Sequence, residues 1–538
     1  MNNIKRNPNL FLNIPADGLE YAVITDYNAS AEEYRKNIRE YLKVYLDGTA
    51  VGTVLLNVFY RRSVVDSSVV DSMYYNIVRD ENLRPLTDEK SNAVKVVCPE
   101  SDNNFLKGFR YTIKRGIDII EMAIEEARKY GVAVLLSVRM NDHHDLQDPG
   151  LNSSFSYDNP DMNFDYTVST GSNHNLDYCK KEVRDYYGSY IIELCKNYDI
   201  DGIEFDYLRT CPIMSRVDDE TTQMLTEYMR SLKDRAEENA KRKIRFTARI
   251  YQDEKTNLEF GIDAAQWIAD GTVDAIVPES WYIPTYYGID ASEWKKSIDK
   301  RNVNKNPYSV LPGTDWAVRC DSTNYSGYIM WITLEQLKGF ASAMYQKGAD
   351  GINIFNHFYT DNDMGSHTYY IDKDGNKICK NVIRDKMIAA GSKELAEKGM
   401  RAYVHTCDDY YNDLYPIEVS KDKPYTFTAN TGTKPKNGYY RVIVGIDEKT
   451  DENVLRVFVN GAPATGADDI LPAEGFEWKV NDFFEPVASH VSEVCPRVMQ
   501  FELDDISFIE DGDNTITIET TGKSQHIKWL EIYVEETK

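Results

Sequence analysis

The segment Tyr198-Asp199-Ile200-Asp201-Gly202-Ile203-Glu204-Phe205-Asp206-Tyr207-Leu208-Arg209 decides the fold. It follows a helical period in which Val183, Tyr187, Tyr190, Ile191, Leu194 and Tyr198 recur at i, i+3, i+4 and i+7 spacing. Residues 202–207 then form an apolar run of strand length. Period two along that strand sets Ile203 and Phe205 on one side and Glu204 and Asp206 on the other. With the apolar pair packed against a helical layer, both carboxylates face the interior of the sheet.

Working outward, strand-like runs lie at 21–25, 53–59, 132–138, 202–207, 245–250, 275–278, 308–311 and 351–355. Helical periods separate them, as in Ile120, Ala123, Ile124 and Ala127, or Leu337, Phe340, Ala341 and Met344. Ser30 with Glu33 and Thr333 with Gln336 have the spacing of capping boxes. Most runs are continuously apolar, as parallel strands covered on both faces must be, so the α/β pattern over residues 1–400 predicts a (β/α)8 TIM barrel. An open doubly wound sheet is the alternative, but no GxGxxG follows the first strand and no GxxxxGK[ST] occurs. Long insertions after the second strand (60–114) and the third (140–178) fall on the side where barrel sites are built.

Beyond residue 400 the pattern shortens to alternating strands at 425–429, 439–444, 454–459, 514–519 and 527–534. Asn460-Gly461 marks a two-residue hairpin and Asp511-Gly512-Asp513-Asn514 a turn. Residues 401–538 are therefore expected to form an antiparallel β-sandwich that supports the barrel by packing or contacts carbohydrate. Neither a repeat nor a low-complexity linker separates the two parts, which predicts a rigid attachment.

The 62 Lys and Arg against 87 Asp and Glu leave a net charge of -25, which opposes binding to nucleic acid or an anionic membrane surface. The start of the chain has no apolar run suited to a signal peptide or membrane span, so a cytoplasmic protein is expected. A secretion signal replaced by an initiator Met would give the same reading. The eight cysteines lack CxxC spacing, which argues against a zinc ribbon or a disulfide framework, and Cys195 reads as a small hydrophobe on a helix face.

Two acids in a low-dielectric pocket push their pKa values apart, and glycosidic cleavage needs one protonated and one ionised carboxyl. Asp206 is the candidate nucleophile or base, with Glu204 positioning it or the substrate. The plainer alternative is a strand-end salt bridge to Arg209 or Arg249. Glu279, in Ile276-Val277-Pro278-Glu279-Ser280-Trp281-Tyr282 at the sixth strand's exit, is the candidate general acid, with Trp281 or Tyr282 as a sugar platform. Glu254 and Asp315, the latter beside Trp316, compete for that role. Polar residues at the other strand exits would recognise sugar: Asp26, Asn57, Arg61, Arg139, Asn141, Asp142, His143, Arg249, Asn356 and His357. Asp142-His143-His144-Asp145 has no HxH or HExxH spacing, so neither a metal nor another cofactor is expected.

Asp201-Gly202-Ile203-Glu204-Phe205-Asp206-Tyr207 resembles the fourth-strand signature of many glycoside hydrolase barrels, where an Asp-Gly pair precedes a strand ending in aspartate. Residues 1–400 as a whole resemble the "family 10-like" glycosyl hydrolases. In alpha-amylase-type barrels the strand-end aspartate is the nucleophile, a role the resemblance carries onto Asp206. The chain departs from that pattern at Glu204, where those barrels have arginine, and from chitinase-type barrels at Leu208, where those have their acid. The expected activity is glycoside hydrolysis of an oligosaccharide or glycan. The alternatives are a noncatalytic glycan-binding barrel and a metal-dependent hydrolase.

Overall fold

The computed structural model describes residues 4–537 apart from 102–105, 143–145, 169–170, 282–284, 316, 320–328, 357–368, 372–376, 380–382, 408–413, 447–454, 470–494 and 496. Eight parallel strands alternate with eight helices: β1 (Asn7–Ile14), α1 (Ala31–Leu46), β2 (Val51–Phe59), α2 (Ile119–Arg128), β3 (Ala133–Arg139), α3 (Lys181–Asn197), β4 (Gly202–Asp206) and α4 (Asp219–Ala240). The second half continues with β5 (Arg245–Tyr251), α5 (Ala264–Ala269), β6 (Ala275–Glu279), α6 (Ala291–Arg301), β7 (Ser309–Val310 and Gly313–Thr314), α7 (Leu334–Gln346), β8 (Ile352–Ile354) and α8 (Ile383–Ala389). The two pieces of β7 close the barrel. Val310 pairs with Ile276 of β6, while Gly313 and Thr314 pair with Asn353 and Ile354 of β8. Pro312 stands between them, where it has no N–H to give to a ladder.

The first strand is not where the sequence pattern placed it. Residues 21–25 include the end of a helix, Ala16–Val23, and Tyr21 is exposed, whereas Asn7–Ile14 pairs with both β2 and β8. Pro15 ends the strand and caps that helix with a φ of −68°. The strand is hard to recognise because its inward residues, Asn9, Phe11 and Asn13, are mostly polar.

Alternation holds throughout the barrel. Leu12, Val54, Leu136, Ile203, Phe205 and Ile250 face the helices and join the main core. Phe11, Leu55, Leu135, Ala275, Val277 and Leu311 form a separate apolar cluster inside the barrel. Both capping boxes form, at Ser30/Glu33 on α1 and Thr333/Gln336 on α7. The insertions after β2 and β3 carry small hairpins, Tyr75–Ile77 with Lys95–Val97 and Asn163–Val168 with Gly171–Leu176.

The strands beyond the barrel's last helix are β9 (Met400–Val404), β10 (Ile417–Val419), β11 (Tyr425–Asn430), β12 (Gly438–Ile446), β13 (Leu455–Val459), β14 (Ala462–Asp469), β15 (Arg497–Glu502), β16 (Asp513–Thr520) and β17 (Gln525–Glu536). All pair antiparallel, and β14 links the two sheets by pairing first with β13 and then with β15. Asn460 and Gly461 take φ values of 51° and 82°, the left-handed conformations a tight hairpin requires. The sandwich packs on α7, where a Cβ on Gly339 would stand 1.8 Å from the Ala402 carbonyl oxygen. Gln336 Nε2 of α7 donates to Glu531 Oε1 of β17 at 2.9 Å, and Trp529 Nε1 donates to Oε2 at 3.1 Å. Among the described residues, no helix is long and apolar enough to cross a membrane.

Candidate active site

Strand register stacks the inward side chains in levels. Asn57, Ser137, Glu204 and Thr247 are direct cross-strand neighbours on β2 to β5. Arg139, Asp206 and Arg249 form the next level toward the strands' carboxyl ends, and Glu279 ends β6 opposite Tyr251. All these groups are buried.

Arg249 joins the two principal acids. Its Nη1 donates to Asp206 Oδ1 at 2.9 Å, and its Nε and Nη2 make a two-pronged contact with Glu279 at 2.9 Å each. Since guanidinium nitrogens lie about 2.3 Å apart, the nearest Asp206 and Glu279 oxygens are separated by at most about 8 Å. The Phe355 ring lies 3.3 Å from the guanidinium carbon and stacks on it. Asp206 Oδ1 also accepts the Arg209 backbone N–H at 3.0 Å.

Unmet hydrogen-bonding capacity concentrates beside this ion pair. Among the described residues, Asp206 Oδ2 and both Glu204 oxygens have no hydrogen-bond partner, and neither do Ser137 Oγ, Thr247 Oγ1 or the Asn353 side-chain amide. Burial, reinforced by the Asp206 charge, pushes the Glu204 carboxyl up to about 8, with Ser137 and Arg249 opposing. Burial also pushes the Glu279 carboxyl above its ordinary range, and the Arg249 charge pulls the other way.

The β2–β3 side of the mouth is built differently. Arg139 Nη1 pairs with Asp142 Oδ2 at 2.9 Å, and its guanidinium lies 4.2 Å from the centre of the Tyr60 ring. Tyr60 in turn donates to Asp17 at 2.8 Å. Arg61, at φ 57°, gives its donors to the Asp142 and His174 carbonyls, Ser156 Oγ and Asn141 Oδ1. Asn141 bonds both the N–H and the carbonyl of Leu176. Arg61 and Asn141 were expected to recognise sugar, but here they fasten the insertions after β2 and β3 together.

Other expected residues are dispersed. Asp26 is exposed in a turn between two helices, not at a strand exit, because the first strand ends at Ile14. Glu254 begins a short helix and pairs with Arg301 and Ser297 of α6, which removes it from the barrel mouth. Asn57 remains in the inner polar level, its Oδ1 accepting the Phe59 N–H at 3.2 Å. Asp315 is buried at the exit of β7, its carbonyl accepting the Thr285 and Thr314 hydroxyls. Asn356, at φ 57°, donates its N–H to Asn13 at 3.4 Å, and Trp281 is half-buried after β6. His143, His144, Asp145, Tyr282, Trp316 and His357 lie outside the described residues. Within those described, no three His, Cys, Asp or Glu side chains converge as metal ligands. Sequence reasoning passed over Phe355, Asn353, Ser137 and Thr247. Period two along β5 and β8 is the signal that would have found Thr247 beneath Arg249 and Phe355 above Asn353.

No family model and no curated protein sequence matches the chain. Among solved structures, a cycloisomaltooligosaccharide glucanotransferase from Paenibacillus sp. is 10% identical, with a TM-score of 0.34, covering 97% of this chain and 57% of its own. Alpha-L-fucosidase isoenzyme 2 from Paenibacillus thiaminolyticus is 12% identical, at a TM-score of 0.36, covering 72% and 49%. This chain thus spans about half the length of those two proteins. The PgaB glycoside hydrolase domain from Bordetella bronchiseptica is 12% identical, at a TM-score of 0.38, covering 71% and 99%. Likeness at this level carries no argument about chemistry, and the barrel is established by its own strand register.

Proposed function

We propose that the protein is a glycoside hydrolase acting on an oligosaccharide or glycan at the Asp206–Arg249–Glu279 site. The observation that carries this reading is the buried Asp206 Oδ2 at a barrel strand's exit, unpartnered among the described residues, with a second carboxyl held opposite it on one guanidinium. An ion pair that served only stability would be expected to satisfy both carboxylate oxygens, because leaving one buried and bare costs about 1–3 kcal/mol or more. One guanidinium balances one carboxylate. Burial raises the Glu279 carboxyl against the pull of that charge, so Glu279 is the member suited to keep a proton.

That state is what glycosidic cleavage uses. Asp206, held by Arg249 and the Arg209 N–H, is the ionised member and attacks the anomeric carbon or activates water. Glu279 is the protonated member and delivers its proton to the leaving oxygen. Resemblance to the family 10-like barrels belongs to this proposal, as do a carbohydrate partner and recognition by Trp281 and Asp315.

The experiment is a leaving-group comparison. Glu279→Gln should lower turnover of natural glycans severely and that of aryl glycosides mildly, because a phenolate departs without much protonation. The alkaline limb of its pH–rate profile should flatten. Equal losses on both substrate classes with the limb unchanged would remove Glu279 from the acid's role and point to Asp315.

A further inference from the structure

The polar level beneath Asp206 contains a group that the two-carboxyl reading does not need. Glu204 is fully buried, and among the described residues no donor makes a well-formed hydrogen bond to either of its oxygens, the Ser137 hydroxyl being the polar group beside it. Ser137 of β3 and Thr247 of β5 flank it directly, and Asn57 lies one strand beyond Ser137. The charged groups around it are Asp206 on its own strand, Arg249 on β5 and Glu279 on β6. Arg139 on β3 is engaged by Asp142, and Arg245 lies two residues below Thr247, close to Phe11. Arg249, the cation among those groups, already makes three hydrogen bonds to Asp206 and Glu279.

We propose that Glu204 is a positioning residue held as a neutral carboxylic acid, whose retained proton lets Arg249 serve Asp206 and Glu279 alone. Three carboxyl groups crowd the Arg249 guanidinium, whose hydrogen bonds go to Asp206 and Glu279, and an ionised Glu204 would be a buried anion left with the Ser137 hydroxyl and no counter-ion of its own. Ionisation would also place a second negative charge beside Asp206. That charge would compete with Asp206 for the Arg249 guanidinium. The upward shift of the Glu204 carboxyl has the direction this arrangement demands. The functional meaning rests on the glycosidase reading, but the protonation state does not.

The test uses full-length protein and needs no turnover. Infrared difference spectra of wild type against Glu204→Gln at pH 7 should show the C=O stretch of a carboxylic acid, converting to a carboxylate band as pH rises past about 8. Stability supplies the second readout. Glu204 binds its proton more tightly folded than unfolded, so its contribution is complete below the unfolded value near 4.5 and declines as pH rises toward about 8. The melting temperature of Glu204→Gln minus that of wild type should therefore grow across this window and then level off.

A carboxylate band at pH 7 or a flat melting difference would overturn the proposal. A wild-type melting temperature that a chelator lowers would also overturn it, by showing a bound cation in place of the proton. Should Glu204→Gln fail to fold, carboxyl 13C resonances of glutamate-labelled protein carrying Glu531→Gln still decide: besides Glu20, whose carboxyl burial also pushes up to about 7, a second glutamate must titrate well above the ordinary range. If these readouts succeed while every glycan resists cleavage, the glycosidase reading fails and the neutral Glu204 stands.

Discussion

The two sides of the barrel mouth use the same residue types to different ends. On the β2–β3 side, Arg61, Arg139, Asn141 and Asp142 make a mutually bonded network that ties two long insertions together. On the β4–β6 side, Asp206 and Glu279 share the Arg249 guanidinium, and among the described residues Asp206 Oδ2 is left without a partner beside it. Buried arginine and acid occur on both, so composition does not distinguish them. The difference lies in which atoms are left over among the described residues: in the β2–β3 network it is a donor, Arg139 Nε, whereas on the β4–β6 side it is a carboxylate oxygen, Asp206 Oδ2, the kind of atom an acid or base reaction uses.

Perturbing each side should break the contrast in opposite ways. The largest effect belongs to the β4–β6 side, where Glu279→Gln should cost orders of magnitude in turnover of natural glycans with little loss of melting temperature. On the β2–β3 side, Arg61→Met would strand several buried acceptors and should lower stability by about 3–5 kcal/mol in a denaturant titration. Turnover by the fraction that remains folded should fall less than tenfold. A large loss of turnover without loss of stability would place Arg61 in substrate contact.

The junction with the sandwich should respond more weakly. Burial pushes the Glu531 carboxyl up to about 7, so its stabilising contribution is complete below the unfolded value near 4.5 and fades as pH rises toward 7. That change amounts to about 3 kcal/mol. Glu531→Gln should flatten this part of the stability–pH curve, and an unchanged slope would assign it to other groups. Gly339→Ala should cost about 1–3 kcal/mol, because its methyl would press on the Ala402 carbonyl and force α7 off β9. A variant that melts as wild type does would show that the helix can move away freely.

Much of this was legible in the sequence, and the exceptions have physical causes. Gly202 to Asp206 could be read because its outward residues are all apolar and its inward ones acidic, a pattern that period two resolves. Asn7–Ile14 could not, because this barrel is polar inside at Asn9 and Asn13 and so breaks the apolar run that marks a covered strand. Asp206, Arg249 and Glu279 were each visible as polar strand-end residues. The sharing of one guanidinium was not, since it depends on register across three strands. Arg61 and Asn141 looked equally suited to bind sugar. Their partners, His174 and Leu176, lie in a hairpin that returns over the mouth from far along the chain. Whether a buried oxygen lacks a partner is a property of the folded chain, which no spacing rule reads.

The role proposed for Asp206 is covalent or general-base chemistry on a glycosidic bond. It is tested most directly by assaying wild type and Asp206→Asn in parallel on a panel of aryl glycosides and natural glycans, with glycan binding measured on both. Wild type should cleave at least one member of the panel. Asp206→Asn should retain binding and fold while losing about 10³-fold or more in kcat on every substrate. Turnover that survives in Asp206→Asn, or glycan binding by wild type with no cleavage of any substrate, would contradict the claim and leave a buried ion pair in a binding barrel.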